Sequence, residues 1–113
     1  MIKRHEPSKI YAKAVEANGL VFTAGIVADD VSQDVQGQTR QVLSEIDHLL
    51  AAAGSDKSKL VSATIWLPDI RMREAMNEVW TAWTGANVPA RACIEAKLAD
   101  ARMLVEIAVV AAK

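Results

Sequence analysis

Apolar and polar residues recur along this chain with two periods, and the switches between them mark out its elements. Residues 9–19, KIYAKAVEANG, read as a strand ending in the turn pair Asn18-Gly19. Residues 20–25, LVFTAG, read as a second strand, so the two predict a hairpin. IVADDVSQD then connects to a helical stretch. From about Asp34, the apolar positions Val35, Val42, Leu43, Ile46, Leu49, Leu50 and Ala53 follow a helical period. Ser32 or Asp34 can cap its start, and Gly54 follows its end. After the polar turn GSDKSK, residues 60–67, LVSATIWL, are β-branched and predict a strand stopped by Pro68-Asp69. A second helix is expected from about Met72 to Trp83, with Met72, Ala75, Met76, Val79, Trp80 and Trp83 as its apolar stripe. TGANVP breaks it, and ARACIEAKL and LVEIAVVAA close the chain as two more strands.

The predicted order is β-β-α-β-α-β-β, an α+β fold whose two helices can cover only one face of a sheet. The other face also reads as apolar. Leu60, Thr64 and Trp66 alternate with Val61, Ala63, Ile65 and Leu67, and the last strand is apolar on both sides. No third helix remains to cover that face. Burying it calls for another copy of the chain, so a homo-oligomer is expected on this ground alone. The alternative is an open sheet with a mildly apolar solvent face.

Composition narrows the class. The 113 residues fit one domain, residues 1–113, and 51% hydrophobic with 24% charged residues is the profile of a globular protein. Lys+Arg (13) and Asp+Glu (14) nearly cancel to a net charge of -1, which argues against a global electrostatic grip on nucleic acid. Cys93 is the single cysteine, so no intrachain disulfide can form, which fits a reducing cytosol. No apolar stretch approaches the roughly 20 residues of a membrane helix, and MIKRHEPSK lacks the apolar segment of a secretion signal. A cytoplasmic protein with no membrane partner is expected. No CxxC, HExxH or paired metal-ligand spacing occurs, and His5 and His48 are isolated, so no metal site is expected.

The chemistry concentrates in the last two strands. RMLVEIAVVAA places one carboxylate, Glu106, inside an apolar run, where it needs either a partner or a task. In PARACIEAKL, alternation puts Arg91, Cys93, Glu95 and Lys97 on one face. Glu106 shares its face with Leu104, Ala108 and Val110. If the two strands are neighbours, Arg91 and Glu106 could meet across the sheet. One reading is a structural ion pair. The other uses the groups separately, with the arginine fork holding a substrate carboxylate and the glutamate holding or activating a water.

At these residues the chain resembles the reactive-intermediate deaminase family, RidA, once called YjgF. VPARACIEAKL is similar to its Pro-Ala-Arg-Ser/Ala-Cys-Val-Glu signature, and LVEIAVVA to its Val-Glu-Ile-Glu-Ala-Ile-Ala ending. YAKAVEANGLVFTAG, QTRQVLSEIDHLLAAAG and AMNEVW match further family stretches, so the resemblance covers nearly the whole chain. It implies a chorismate-mutase-like fold, a mixed sheet with two helices on one face, assembled as a homotrimer around a sheet-lined core with sites in the clefts between subunits. It also implies cofactor-independent hydrolysis of enamine/imine intermediates, such as 2-aminoacrylate, to 2-keto acids and ammonia. Residue by residue, Arg91 falls on the arginine that holds the substrate carboxylate, and Glu106 on the glutamate that positions water. Tyr11 and Asn77 match pocket residues, Cys93 the cysteine whose backbone carbonyl lines the site, and Gly25 the glycine at close backbone approach.

The chain departs from the family pattern at Ala24, where the family has serine, and at Ala108, where it has a second glutamate. It departs also at Gly25-Ile26-Val27-Ala28, where Gly-Gln-Ile-Pro is usual, and in a short loop before Pro89. These losses leave open a non-catalytic reading, in which the cleft binds or senses a keto acid or related small carboxylate. Ribonuclease or translation-inhibitor activity, a label attached to parts of the family, is disfavoured by the balanced charge and the lack of a clear catalytic histidine pair.

Overall fold

The computed structural model describes residues 1–113. Six strands and two helices follow the chain as β1 (Lys3–Pro7), β2 (Ala12–Ala17), β3 (Leu20–Thr23), α1 (Val35–Ala52), β4 (Leu60–Leu67), α2 (Arg73–Thr84), β5 (Ala90–Glu95) and β6 (Glu106–Ala112). One sheet contains all six strands in the order β1-β2-β3-β6-β4-β5. The β4–β5 pair is parallel and every other pair antiparallel. The expected α+β fold is therefore present, with one strand more than the hydrophobic pattern indicated. β1 escaped that reading because KRHEP is polar and ends in proline. Those are the features of a short edge strand, whose outer side must not invite further pairing.

Local signals act where the sequence placed them. Asn18 and Gly19 both take positive φ, 51° and 76°, in a two-residue turn between Ala17 and Leu20. Asp34, not Ser32, caps α1: its carboxylate accepts from the Gly37 N–H at 2.8 Å. Gly54, at φ 78°, turns the chain out of that helix.

The core lies between the helices and one sheet face. Val21, Ala63, Ile65, Leu67, Ile107, Val109 and Ala111 pack against Val42, Leu43, Ile46, Leu49, Leu50, Met76 and Trp80. The protein is only 20 Å through its thinnest direction, room for one sheet and one helix layer. The other sheet face is left uncovered by the chain. Phe22 and Ile94 are 41% and 47% exposed there, beside half-buried Thr64, Trp66, Ala108 and Val110. No helix is long and apolar enough to cross a membrane.

One ionic cluster ties the edge strand to the sheet. Glu16 on β2 is 8% exposed and lies between an imidazole and an ammonium group. His5 Nε2 on β1 is 2.5 Å from one carboxylate oxygen, and Lys113 Nζ 2.6 Å from the other. Hydrogen bonds from Lys113 first, then His5, lower the Glu16 pKa from 4.5 to about 2. A carboxyl whose folded pKa is depressed stabilises the fold above its unfolded pKa, and that contribution disappears as pH falls through the folded value. Glu16→Gln should therefore lower stability at neutral pH, and the difference from the unaltered protein should vanish between about pH 4.5 and pH 2. Urea denaturation of both proteins across that range checks this; a constant difference down to pH 2 would refute it.

Candidate active site

The residues singled out in the sequence fall into two groups in one chain. The first surrounds Glu106, the opening residue of β6. Its carboxylate lies over Gly25, just beyond β3, so closely that a Cβ on Gly25 would come 2.0 Å from Glu106 Oε2. Tyr11, Ala24, Val27, Ala99 and Met103 complete an open cleft of about 420 Å³ around these two residues. Tyr11 reaches it from the β1–β2 turn, where its carbonyl accepts from the Ser8 N–H at 2.8 Å and the Ser8 hydroxyl at 2.9 Å. Glu106 has no hydrogen-bond or ion-pair partner within the chain.

The second group surrounds Arg91 on β5. Its Nη1 donates to Asn77 Oδ1 on α2 at 2.8 Å. The guanidinium carbon stands 5.5 Å from the ring centroid of Trp80, one helical turn further along. Cys93 follows two residues later on the same face, half-buried against the core. The Asn77 bond uses one of the five guanidinium N–H donors, and the other four have no partner in the chain. Of the remaining residues on that face, Glu95 accepts from the Ile70 N–H at 3.1 Å, and Lys97 lies past the end of the strand.

The two groups do not meet inside one chain. β5 and β6 are not neighbours, because β4 lies between them. Arg91 stands beside Ala63 of β4, and Glu106 beside Trp66. Ala63 and Trp66 are three residues apart, an odd offset that sends the neighbouring side chains to opposite faces. Three residues along and two strands across put the Cα atoms roughly 14 Å apart. A meeting of Arg91 and Glu106 across adjacent strands is thus excluded, and so is a structural ion pair within the chain. The cation has a neutral amide and an aromatic ring for company; the anion has neither partner nor counter-charge.

Pattern reading passed over Gln38 on α1. It is fully buried, and its Nε2 donates to the carbonyls of Gln33 at 2.9 Å, Arg102 at 3.0 Å and Val31 at 3.3 Å. Its Oε1 accepts from the Leu104 N–H at 2.9 Å. One amide thereby fixes the segment that leads into Glu106. The signal was present: residue 38 lies on the inner stripe of α1, three after Val35 and four before Val42, where an apolar residue is the rule. Glu6, Glu45 and His48 bring three ligating atoms within 4.8 Å of one another at the surface. Lys13 Nζ lies 3.9 Å and 3.7 Å from the two carboxylates, however, so these residues form an ion-pair network. A groove of about 450 Å³ between α1 and α2 contains none of the residues expected at the site.

Comparison with known proteins follows the same outline. The family model described as Endoribonuclease L-PSP matches residues 1–113. The chain belongs to this family, known also as YjgF or RidA. A solved YjgF-family member from Neisseria meningitidis is 41% identical and superposes with a TM-score of 0.97, over 100% of this chain and 95% of that one. A RutC family protein of Haemophilus ducreyi is 41% identical, covering 99% of this chain and 97% of its own. The chloroplastic Reactive Intermediate Deaminase A of Arabidopsis thaliana is 33% identical over 89% of this chain and 57% of its own length. The mixed sheet with two helices is thus the family fold.

Two substitutions test the geometry. Gly25→Ala should leave the fold intact, since Gly25 needs no positive φ and the crowding atom is the end of a flexible side chain. The Glu106 carboxylate must rotate away, and a crystal structure of the variant should show it displaced with the melting temperature nearly unchanged. Gln38→Leu should cost about 2–3 kcal/mol by stranding buried backbone groups, measured by urea denaturation. Unchanged stability would mean that water replaces the amide without loss.

Proposed function

We propose that this protein hydrolyses reactive 2-imino acids, formed from enamines such as 2-aminoacrylate, to 2-keto acids and ammonia. The catalytic centre lies between two copies of the chain. The observation that carries this reading is the unpaired state of Arg91 and Glu106 on opposite sides of one sheet. Each charge lacks a counter-charge in its own protomer, and the bare apolar face calls for another protomer. In a ring assembly, the edge strand β5 of one copy approaches the Glu106 cleft of the next. Such a head-to-tail contact is heterologous, and a homotrimer closes it. The Arabidopsis relative's name, Reactive Intermediate Deaminase A, supports the reaction class.

In this reading Arg91 holds the substrate carboxylate through a bidentate fork, its plane set by Asn77 and Trp80. Glu106 of the adjacent protomer orients a water toward the C=N carbon and takes a proton as the C–O bond forms. The proton passes to nitrogen, giving a carbinolamine; its hydroxyl proton then moves to the amine, through Glu106, as the C–N bond breaks, so that ammonia leaves and the carbonyl closes. Backbone groups at Gly25 and on the open edge of β5 near Cys93 place the nitrogen. Tyr11 brings a hydroxyl to the same cleft. Because imines hydrolyse unaided, orientation and modest proton transfer suffice. The reaction needs no metal or cofactor, and a cytoplasmic setting fits it.

A non-catalytic keto-acid binder is the second reading, favoured by Ala24, which lines the cleft without a hydroxyl. The endoribonuclease description of the family model has less support here. His5 and His48 are each paired with a carboxylate, and neither lines the cleft.

Arg91→Ala and Glu106→Gln should each nearly abolish keto-acid formation from freshly generated 2-aminoacrylate. Co-refolded one to one, the two inactive variants should recover about a quarter of the unaltered activity, because random assortment restores one pairing in about four. No recovery would place both groups in one protomer's site or none. Binding of 2-oxobutanoate without any rate gain would favour the binder.

A further inference from the structure

The groove between the two helices, about 450 Å³ in volume, shares no residue with the Glu106 cleft or the Arg91 group. Gln36, Arg40, Leu43 and Asp47 recur at helical spacing along one side of α1, and Glu78, Val79 and Trp83 form the facing side of α2. Lys57, just before β4, reaches the same groove. The floor is apolar, with Leu43 buried and Val79 and Trp83 half-buried. Four charges stand around this floor, two of each sign, and no ion pair joins any of them.

At the Trp83 end the charges have uncharged partners. Both oxygens of Asp47 accept from the Trp83 indole Nε1, at 3.1 and 3.2 Å, and the Lys57 ammonium stands 5.5 Å from the centroid of a Trp83 ring. At the other end Gln36 Nε2 donates to Glu78 Oε2 at 2.9 Å and to the Ala75 carbonyl at 3.0 Å, which holds the glutamate against its own helix. Glu78 Oε1 is left free. Arg40, one helical turn beyond Gln36, has five guanidinium donors and no partner for any of them in the chain. An unengaged cation and a half-engaged anion therefore line one apolar channel without neutralising each other.

We propose that this groove binds a free α-amino acid with a large apolar side chain, held as its zwitterion. The ligand carboxylate pairs with the Arg40 guanidinium, and the ligand ammonium donates to Glu78 Oε1. The side chain lies along Leu43 and Val79 toward the Trp83 ring, where loss of its water supplies the apolar part of the affinity. From Arg40 to Asp47 the helix rises about 10 Å, room for an amino acid with a large side chain. A simple anion in this groove meets Glu78 and Asp47, and a simple cation meets Arg40 and Lys57. A ligand carrying both signs answers each charge with its opposite. The site stands apart from the proposed reaction centre and does not depend on the deaminase reading.

Titration with L-phenylalanine, followed by calorimetry and by tryptophan fluorescence, tests the assignment. Saturable binding is expected below about 10 mM. The two single-charge analogues, 3-phenylpropanoate and phenethylamine, should each bind at least about tenfold more weakly, as should glycine, which lacks the side chain. Arg40→Gln and Glu78→Gln should each weaken phenylalanine at least about tenfold. Both side chains are exposed, so the melting temperature should hardly move. Glu106→Gln should bind phenylalanine like the unaltered protein. The proposal is overturned by a lack of saturable binding, by either analogue matching phenylalanine, or by an affinity that neither groove variant changes. Binding lost in Glu106→Gln and kept in Arg40→Gln moves the amino acid to the Glu106 cleft and overturns it as well. None of these readings measures keto-acid formation, so a failure here and a failure of the deaminase reading are told apart.

Discussion

The placement of β4 between β5 and β6 governs the rest of this structure. It separates the arginine from the glutamate by two strand spacings and, through the odd offset between Ala63 and Trp66, assigns them to opposite faces. Had the two strands been neighbours, a guanidinium and a carboxylate on a common face would have neutralised each other. A satisfied buried ion pair has little left to offer a ligand. Kept apart, each charge retains its capacity for an outside partner. The arginine is exposed and the glutamate half-buried, so the chain avoids the full desolvation cost of an unpaired interior charge until assembly or a ligand covers them.

Each charge is aimed by neutral neighbours. Asn77 and Trp80 orient the guanidinium without cancelling it, since an amide oxygen and a ring face both attract a cation while carrying no net charge. Gly25 gives Glu106 room by having no side chain, and Gln38 fixes the segment before β6 by bonding four backbone groups. The uncovered face of the sheet belongs to the same design. Its Phe22 and Ile94 are exposed in the chain, and in the proposed assembly the protomer that covers them is also the one that completes the site. Oligomerisation and site completion then become one physical event.

Much of this was legible in the sequence, for reasons that differ by element. β4 ran over residues 60–67 as its β-branched pattern required, and α1 began at the cap offered by Asp34. The Asn18-Gly19 turn formed because few other dipeptides accept two positive φ angles. β1 was not legible, since an edge strand is stabilised by one neighbour and carries no burial pattern. Arg91, Glu106, Tyr11, Gly25, Asn77 and Cys93 were all named from motifs, and the structure sorts them into two groups of three. Gln38 was readable as a polar residue on an apolar stripe, but its four partners come from segments up to 66 residues away.

By itself the sequence determined the elements, their caps and turns, the surplus of apolar sheet surface, and the identity of the charged side chains. Those are local properties, set by side-chain period, backbone preference and composition within a few residues. Which strands became neighbours, and therefore which faces Arg91 and Glu106 occupy, was decided by the tertiary structure alone. The last strand inserts between β3 and β4, elements about 40 residues apart in the chain, because that slot pairs both its edges and buries Ile107, Val109 and Ala111 beneath the helices. Strand order is a competition among long-range burials, and nothing within a single strand's pattern records its outcome.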